Sequence, residues 1–285
     1  MRFIRASIAL RSIGPVRDSS AMHCSRRTAF LAALIFSLTA VCRADQPSPA
    51  ATAAFNQLAA SVEARLASQH KSASGFISLP AGSVQQGQLA IERVAPPDAA
   101  GAMLHHWRGT AFVPGATAEG FERLMRDTAN YPTYFAPQVL KTSTTPRGSG
   151  YQILMRVRQQ HVLTVVLDTT CDVDFTRLDA AHRYSASRSV RIAEIAGAGT
   201  SSERALTPQQ DHGFLWRLNT YWTWEERDGG LYMQIETISL TRAIPTGLGW
   251  AIGPFVESVP RESLEFTLRS MSAALAKQKQ GGSHE

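Results

Sequence analysis

Alternation of apolar and polar residues dominates the chain from about residue 104 to residue 240. The alternating runs are rich in Val, Thr, Tyr and Trp, and turn-forming stretches such as Pro146-Arg147-Gly148 and Asp228-Gly229-Gly230 separate them. Short β-type runs joined by such hairpin separators predict an antiparallel meander. The predicted strands cover residues 104–113, 139–144, 150–160, 162–175, 183–195, 212–226 and 231–240.

Three other segments have helical spacing. The first is marked by apolar residues at intervals of three and four, namely Phe55, Leu58, Val62 and Leu66. The second runs over 121–128, with Thr117 as its N-cap and Tyr131-Pro132 as its end. The third and longest covers about 250–277 and carries an apolar stripe formed by Leu264, Leu268, Met271 and Leu275. Strands grouped between helices predict an α+β fold rather than a parallel α/β sheet.

The first 44 residues have the pattern of a secretory signal peptide. A basic stretch at 23–27 precedes an apolar run at 28–41, and Cys42-Arg43-Ala44 then places small residues at both critical positions before Asp45. The apolar run is too short to serve as a membrane anchor. We therefore expect an exported, periplasmic protein. Met22 is an alternative start, and both a twin-arginine route through Arg26-Arg27 and lipoprotein processing at Cys42 stay open.

The basic character of the chain is concentrated in this leader. The sequence has 29 Lys and Arg against 23 Asp and Glu, and seven arginines but one aspartate lie in residues 1–44. The rest carries 22 residues of each sign, so a nucleic-acid partner has no electrostatic support. Cys171 is the only cysteine after the leader. An exported form therefore has no internal disulfide and depends on its core.

These patterns divide the chain into four parts. Residues 1–44 form the signal peptide, 45–102 a linker and N-terminal extension, 103–277 the main domain, and 278–285 a disordered tail. Within the main domain, the more apolar faces of the last two strands are expected to curve around the long helix. In the strand from 214 to 224 that face holds Phe214, Trp216, Leu218, Thr220, Trp222 and Trp224. In the last strand it holds Leu231, Met233, Ile235, Thr237 and Ser239.

The order of elements resembles the START-like helix-grip (SRPBCC) superfamily, which includes polyketide cyclase-like, coenzyme-Q-binding and lipid-transfer domains. The resemblance is carried by the strand at His106-Trp107-Arg108-Gly109, the helix at 121–127 and the C-terminal segment 247–275. The segment 213–222 also resembles uncharacterised exported bacterial proteins of this group. Membership implies a curved antiparallel sheet of six to seven strands wrapped on a long C-terminal helix. It also implies a mostly apolar cavity between them, and residues 247–254 are placed to gate it.

The expected function is non-covalent binding or transport of a hydrophobic small molecule, such as a lipid, a quinone or a polyketide-like compound. The candidate ligand-binding residues are Trp107, Arg188, Trp216, Leu218, Trp222, Met233, Ile235, Glu236, Trp250 and Phe255. The tryptophans offer broad apolar walls, although filling the core is the alternative reading of each. An inward Arg188–Glu236 pair would hold a ligand carboxylate or phosphate. The alternative for that pair is an exposed sheet face with weak ion pairs.

Two other function classes stay open. A cyclase- or hydrolase-like enzyme would use Asp168 or Glu236 with Arg188 in the same cavity, and an envelope interaction module would have no cavity. No catalytic residue, metal site or cofactor is assigned. His105 and His106 point to opposite sides of a strand and cannot chelate one ion, and the aspartates near Cys171 raise its thiol pKa. A peripheral membrane contact and the oligomeric state are also left open.

Overall fold

The computed structural model describes residues 46–281 apart from 80–83, 85–87, 98, 100, 161–163 and 245–248, and for 249–257 and 279–281 it describes the backbone alone. The predicted signal peptide and residues 282–285 of the predicted tail lie outside the described residues. The helices are α1 (Pro49–Gln69), α2 (Ala118–Arg126), a 3-10 turn (Thr128–Asn130), α3 (Tyr131–Tyr134) and α4 (Gly249–Gly281). The strands are β1 (Leu89–Arg93), β2 (Ala102–Pro114), β3 (Val139–Arg147), β4 (Gly150–Gln160), β5 (Thr164–Arg177), β6 (His182–Ala196), β7 (Arg204–Ala205), β8 (Arg217–Arg227) and β9 (Gly230–Arg242).

The strands form one antiparallel sheet in the order β1-β2-β9-β8-β6-β5-β4-β3, and β7 pairs with β6 outside this path. The early strand β2 lies beside the last strand β9 through 13 residue pairs, so the two ends of the domain meet as the second and third strands from the β1 edge. The predicted α+β helix-grip architecture is confirmed. The sheet has nine strands among the described residues, because β1 lies in the segment predicted as extension and β7 has only two residues.

The side of the sheet that faces α4 holds the larger core, where α4 packs on β2, β8 and β9. Gly109 makes the close approach possible, since a Cβ there would lie 2.7 Å from Leu268 Cδ1 and 2.9 Å from Leu264 Cδ2. Met233 and Ile235 of β9 belong to the same cluster, as expected from their alternation. The described residues thus place the predicted apolar stripe of the long helix on the predicted face of the last strand.

The opposite face of the sheet is covered by α1. Its buried residues Phe55, Leu58, Val62 and Leu66 are those of the predicted helix. They pack on Leu104, Tyr221, Ile238 and Leu240 of the sheet. The helix begins at Pro49, with the Ser48 side chain accepting a hydrogen bond from Ala51 N–H. Residues 49–54, predicted as linker, are therefore helical.

Two boundaries differ from the expected ones. The chain bends before β8: Gly213 has φ +75° and its carbonyl accepts from Arg242 N–H, so the strand begins at Arg217 rather than at residue 212. At the C-terminus, α4 continues to Gly281, which makes the first part of the predicted tail helical. No described helix is both long and apolar enough to cross a membrane.

Leu268→Ala tests the packing of α4 on the sheet. The side chain is fully buried over Gly109, so its truncation leaves a cavity and we expect a loss of about 2–5 kcal/mol in the free energy of unfolding. Chemical denaturation measures this. The neighbouring exposed residue gives the control, Arg269→Ala, which should change stability by less than about 0.5 kcal/mol. Equal effects of the two substitutions would contradict the packing described.

Candidate functional site

The candidate site is a row of residues across the side of the sheet that faces α4. Strand register aligns Ser187 of β6, Thr220 of β8, Thr237 of β9 and Trp107 of β2, and we call these four residues the floor row. All four are half-buried. Leu218 follows on the same face of β8 and is half-buried as well, opposite Ser239. Side chains on the inner strands of a sheet are expected to be the most closely packed, so the incomplete burial of these residues is informative.

The same strands are sealed on their other face. Asn219 and Tyr221 flank Thr220 in sequence and are buried, and Ile238 beside Thr237 is fully buried. These residues face α1, whereas the floor row faces α4. Incomplete burial is therefore a property of one face of β8 and β9, and it does not arise from a loose strand.

Solid packing begins one row further along the strands. Trp222 and Trp224 are buried, and both rings meet Phe121 of α2 edge-on, with centroids 5.3 Å and 5.2 Å away. Trp224 Nε1–H also donates to the Ala118 carbonyl at 3.1 Å. The side of the sheet that faces α4 is closely packed around Trp222 and Trp224, and this packing ends at the floor row.

The floor row is polar on three of its four strands. The Thr220 and Thr237 hydroxyls make no hydrogen bond to any described residue, and the buried Nε1 of Trp107 has no partner among them either. Ser187 is hydrogen-bonded with Cys171 on β5. Burial raises the pKa of the Cys171 thiol, and the Asp172 charge adds to this, so the predicted direction is confirmed although burial is the larger cause. A thiol of this kind is a poor nucleophile.

Two contacts mark the edge of this region. Gln159 of β4 donates to the Ser263 hydroxyl of α4 at 3.1 Å and ties the helix to the far side of the sheet. Glu194 of β6 accepts from the backbone N–H and the ring Nδ1 of His212, at 3.2 Å and 2.8 Å. The sequence analysis assigned His212 no role, and nothing in one dimension links it to a carboxylate 18 positions earlier. No cluster of potential metal ligands occurs in the described part of the chain.

Five of the ten candidate residues lie on the helix-facing side, as predicted. Trp222, Met233 and Ile235 are buried in the closed core, so their packing supports the core-filling alternative. Trp107 and Leu218 are half-buried at the floor. The side chains of Trp250 and Phe255 lie outside the described residues.

Three candidates lie on the other side of the sheet. Trp216 packs beside the α1 cluster, because it precedes the start of β8 and the strand's alternation does not extend to it. Arg188 and Glu236 lie under α1, and they do not form the pair proposed from the sequence. Arg188 instead donates to Glu63 of α1 at 2.8 Å. The expectation of an inward Arg188–Glu236 pair is therefore corrected.

Glu236 has its own set of hydrogen-bonding partners. Its carboxylate accepts from Arg65 of α1 at 2.6 Å, from His106 Nε2 at 2.6 Å and from Arg108 at 3.2 Å. Burial by itself would raise the pKa of this carboxyl. The bond from His106 and the charges of Arg108 and Arg65 outweigh burial and lower the pKa to about 2. Sequence reasoning missed this cluster, since its members come from three separate elements.

A second polar group anchors α1 near its end. His70 lies in contact with the Thr223 hydroxyl at 3.0 Å, and its ring stacks on Tyr184 with centroids 4.2 Å apart. Burial, together with the charge of Arg65, lowers the pKa of His70 to about 4. The ring is therefore neutral at physiological pH and behaves as a packing aromatic.

Glu236→Gln tests the charge cluster through its dependence on pH. The lowered carboxyl pKa means that the ionised form stabilises the fold above pH 4.5, and that this stabilisation is lost as the pH falls towards about 2. We expect the variant to lose about 3 kcal/mol near neutral pH. Its unfolding free energy, measured by urea titration, should depend less on pH over this window. Glu119→Gln, at an exposed ion pair, should keep the parental pH profile, and the same profile in Glu236→Gln would refute the assignment.

No family model matches the sequence, and no curated protein does. Among solved structures, a START superfamily protein from Mycobacterium smegmatis has 13% identity and a TM-score of 0.42, with 61% of this chain and 98% of that chain covered. The STAR-related lipid transfer protein from Xanthomonas axonopodis has 14% identity and a TM-score of 0.41, covering 65% and 98%. The Zhui aromatase/cyclase from Streptomyces sp. R1128 has 16% identity and a TM-score of 0.42, covering 62% and 96%. The helix-grip architecture described above rests on the chain's own element order, strand register and helix contacts.

Proposed function

We propose that the protein binds and carries a hydrophobic small molecule, without covalent chemistry, between the concave face of the sheet and α4. The observation that carries the proposal is the half-buried floor row, which lies beside the buried Trp222 and Trp224 on the α4 side of the sheet. Native interiors contain few empty spaces, so incompletely buried positions at the centre of a fold support a site that a guest fills. A lipid, a quinone and a polyketide-like compound all have the apolar surface for such a site.

The driving force would be removal of apolar ligand surface from water, worth about 25 cal/mol for each Å² buried. Leu218 and Met155 provide apolar wall, and the Trp107 ring provides a flat surface at the other end of the floor. Hydrophobic burial is not directional, so apolar walls alone give affinity with little control of orientation. Orientation would come from the few polar groups of the site.

The placement of charged groups favours carriage over the enzymatic alternative. Asp168 is paired with Arg156 at 2.6 Å, and Glu236 is held by His106 and Arg65 on the α1 side. Neither Asp168 nor Glu236 is paired with Arg188, and Arg188 itself lies on the opposite side of the sheet from the floor row. The acid–base pair considered from the sequence is therefore not assembled at this site. The floor row also favours carriage over an interaction module with a solid core.

Leu218→Trp tests the proposal by filling the site. The larger ring should occupy the space beside the floor row and weaken binding of the apolar fluorophore pyrene by at least about tenfold. Fluorescence titration measures this, and native mass spectrometry of the purified protein would detect a co-purifying ligand. Leu178→Trp, at an exposed position, should bind pyrene like the parent. A parent protein that takes up no pyrene and carries no ligand would rule the proposal out.

We further propose that the chain acts outside the cytoplasm, on the strength of the leader pattern in residues 1–44. On expression of the full chain in a Gram-negative bacterium, N-terminal sequencing of the periplasmic form should begin at Asp45. Leu34→Arg, which interrupts the apolar run, should leave an unprocessed precursor in the cytoplasm. Recovery of parental protein only as an uncleaved cytoplasmic chain would contradict export.

A further inference from the structure

The hydroxyl groups of the floor row distinguish it from the rest of the sheet. Other threonines in the sheet have partners: Thr223 contacts His70, Thr110 accepts from Gln234, and Thr169 donates to the Met155 carbonyl. Thr220 and Thr237 have none in the described part of the chain, although they stand on the two central strands. Neither hydroxyl is fully buried, so both are accessible to a bound molecule.

A third unpaired donor belongs to the same row. Trp107 is directly opposite Thr237 in the register of β2 and β9, and its Nε1–H is buried without a partner among the described residues. Directly opposed side chains on an antiparallel pair stand about 5 Å apart at their Cβ atoms. The register therefore places Trp107, which has one fixed donor, on the same face and in the same row as the two hydroxyls. Hydroxyls can either donate or accept.

Among the described residues, the arginines that share this face are engaged by other groups or exposed. His105, two residues from Trp107 on the same face, is buried and contacts the Thr241 hydroxyl at 3.1 Å. Arg183, further along the same face of β6, is engaged by Glu122 at 2.7 Å and by the Ala180 carbonyl. Arg93 pairs with Trp107 in register, but it lies exposed on the edge strand and has contacts of its own. The sequence from 243 to 260, which includes the start of α4, has no lysine or arginine. A ligand carboxylate or phosphate brought to the floor row would lose its hydration without gaining a counter-ion, which is strongly unfavourable.

From these unpaired groups and the engaged arginines around them, we infer that the ligand is an uncharged, largely apolar molecule with a hydroxyl or carbonyl group. That polar group hydrogen-bonds to Thr220, Thr237 and Trp107. The inference rests on the proposed function and narrows it. The Thr220–Thr237 pair receives the polar group, and Leu218 and Met155 contact the apolar body. The headgroup of an anionic lipid or a fatty acid would meet no unengaged lysine or arginine among the described residues of this row.

The experiment compares three fluorescent probes with one ring system, using the full chain. Pyrene has no polar group, pyrenemethanol has a neutral hydroxyl, and pyrenebutyrate has a carboxylate. The parent should bind pyrenemethanol about tenfold more tightly than pyrene, and pyrenebutyrate most weakly. The test variant combines Thr220→Val with Thr237→Val, which removes both hydroxyls at nearly constant volume. It should lose the preference for pyrenemethanol and keep its affinity for pyrene.

The matched control combines Thr145→Val with Thr176→Val at two exposed positions, and it should bind all three probes like the parent. Thermal unfolding gives an independent readout. Removal of unpaired hydroxyls should leave the free protein as stable as the parent or more stable. A clear loss of stability would show that the hydroxyls already have protein partners, and it would overturn the inference.

The outcomes separate the two proposals. If the parent binds pyrene and pyrenemethanol equally, and the double variant changes neither, the polar cluster has no role in recognition while the carrier function stands. Preferential binding of pyrenebutyrate would overturn the uncharged class of ligand and also leave the carrier function standing. If the parent binds none of the three probes, both proposals fail.

Discussion

The register between β2 and β9 is the constraint on which the rest of the structure depends. Trp107 pairs with Thr237 and Arg108 with Glu236, so each strand sends alternate residues to opposite helices. A slip of one residue would reverse every side chain on both strands. Gly109 would then no longer lie under α4, and Glu236 would point into the larger core without its arginine partners. Because both faces are buried, this register is specified from two sides at once.

Burial of Glu236 explains why α1 is an integral part of the domain. The carboxylate is fully buried, and a buried charge needs both opposite charge and hydrogen bonds. His106 and Arg108 come from the strand paired with β9, and Arg65 is supplied by α1. The same helix buries Ile238 and Leu240. A segment that looks like an extension in the sequence therefore completes both the charge balance and the apolar cover of the outer face.

Periodicity predicted seven of the nine described strands, the three main helices and the face of β9 that meets α4. It failed where the answer depends on which surfaces meet. Helical spacing in α1 shows that the helix has an apolar stripe, but it does not say which face of the sheet receives that stripe. Trp216 was assigned by extending an alternation through a bend at Gly213. For Glu236 the information was present in the sequence, since strict alternation places it on the face opposite to Met233 and Ile235. Its grouping with them as one site came from residue type and ignored the pleat.

The side chains on the two faces of β8 and β9 are buried in different ways. On the α1 side, the fold partners its polar groups internally, as Thr223 with His70 and Glu236 with Arg65 illustrate. On the α4 side, the row that holds Trp222 and Ile235 is closed by apolar packing. The floor row shows neither internal hydrogen bonding nor apolar packing. It has threonine and serine where valine would pack, and two of those hydroxyls have no described partner. A sequence under pressure for stability alone would fill such positions with β-branched apolar residues, which suit strands and leave no donor unpaired. The two hydroxyls are not fully buried, so water can hydrogen-bond to them in the empty protein, and a bound molecule that uses them would replace that water.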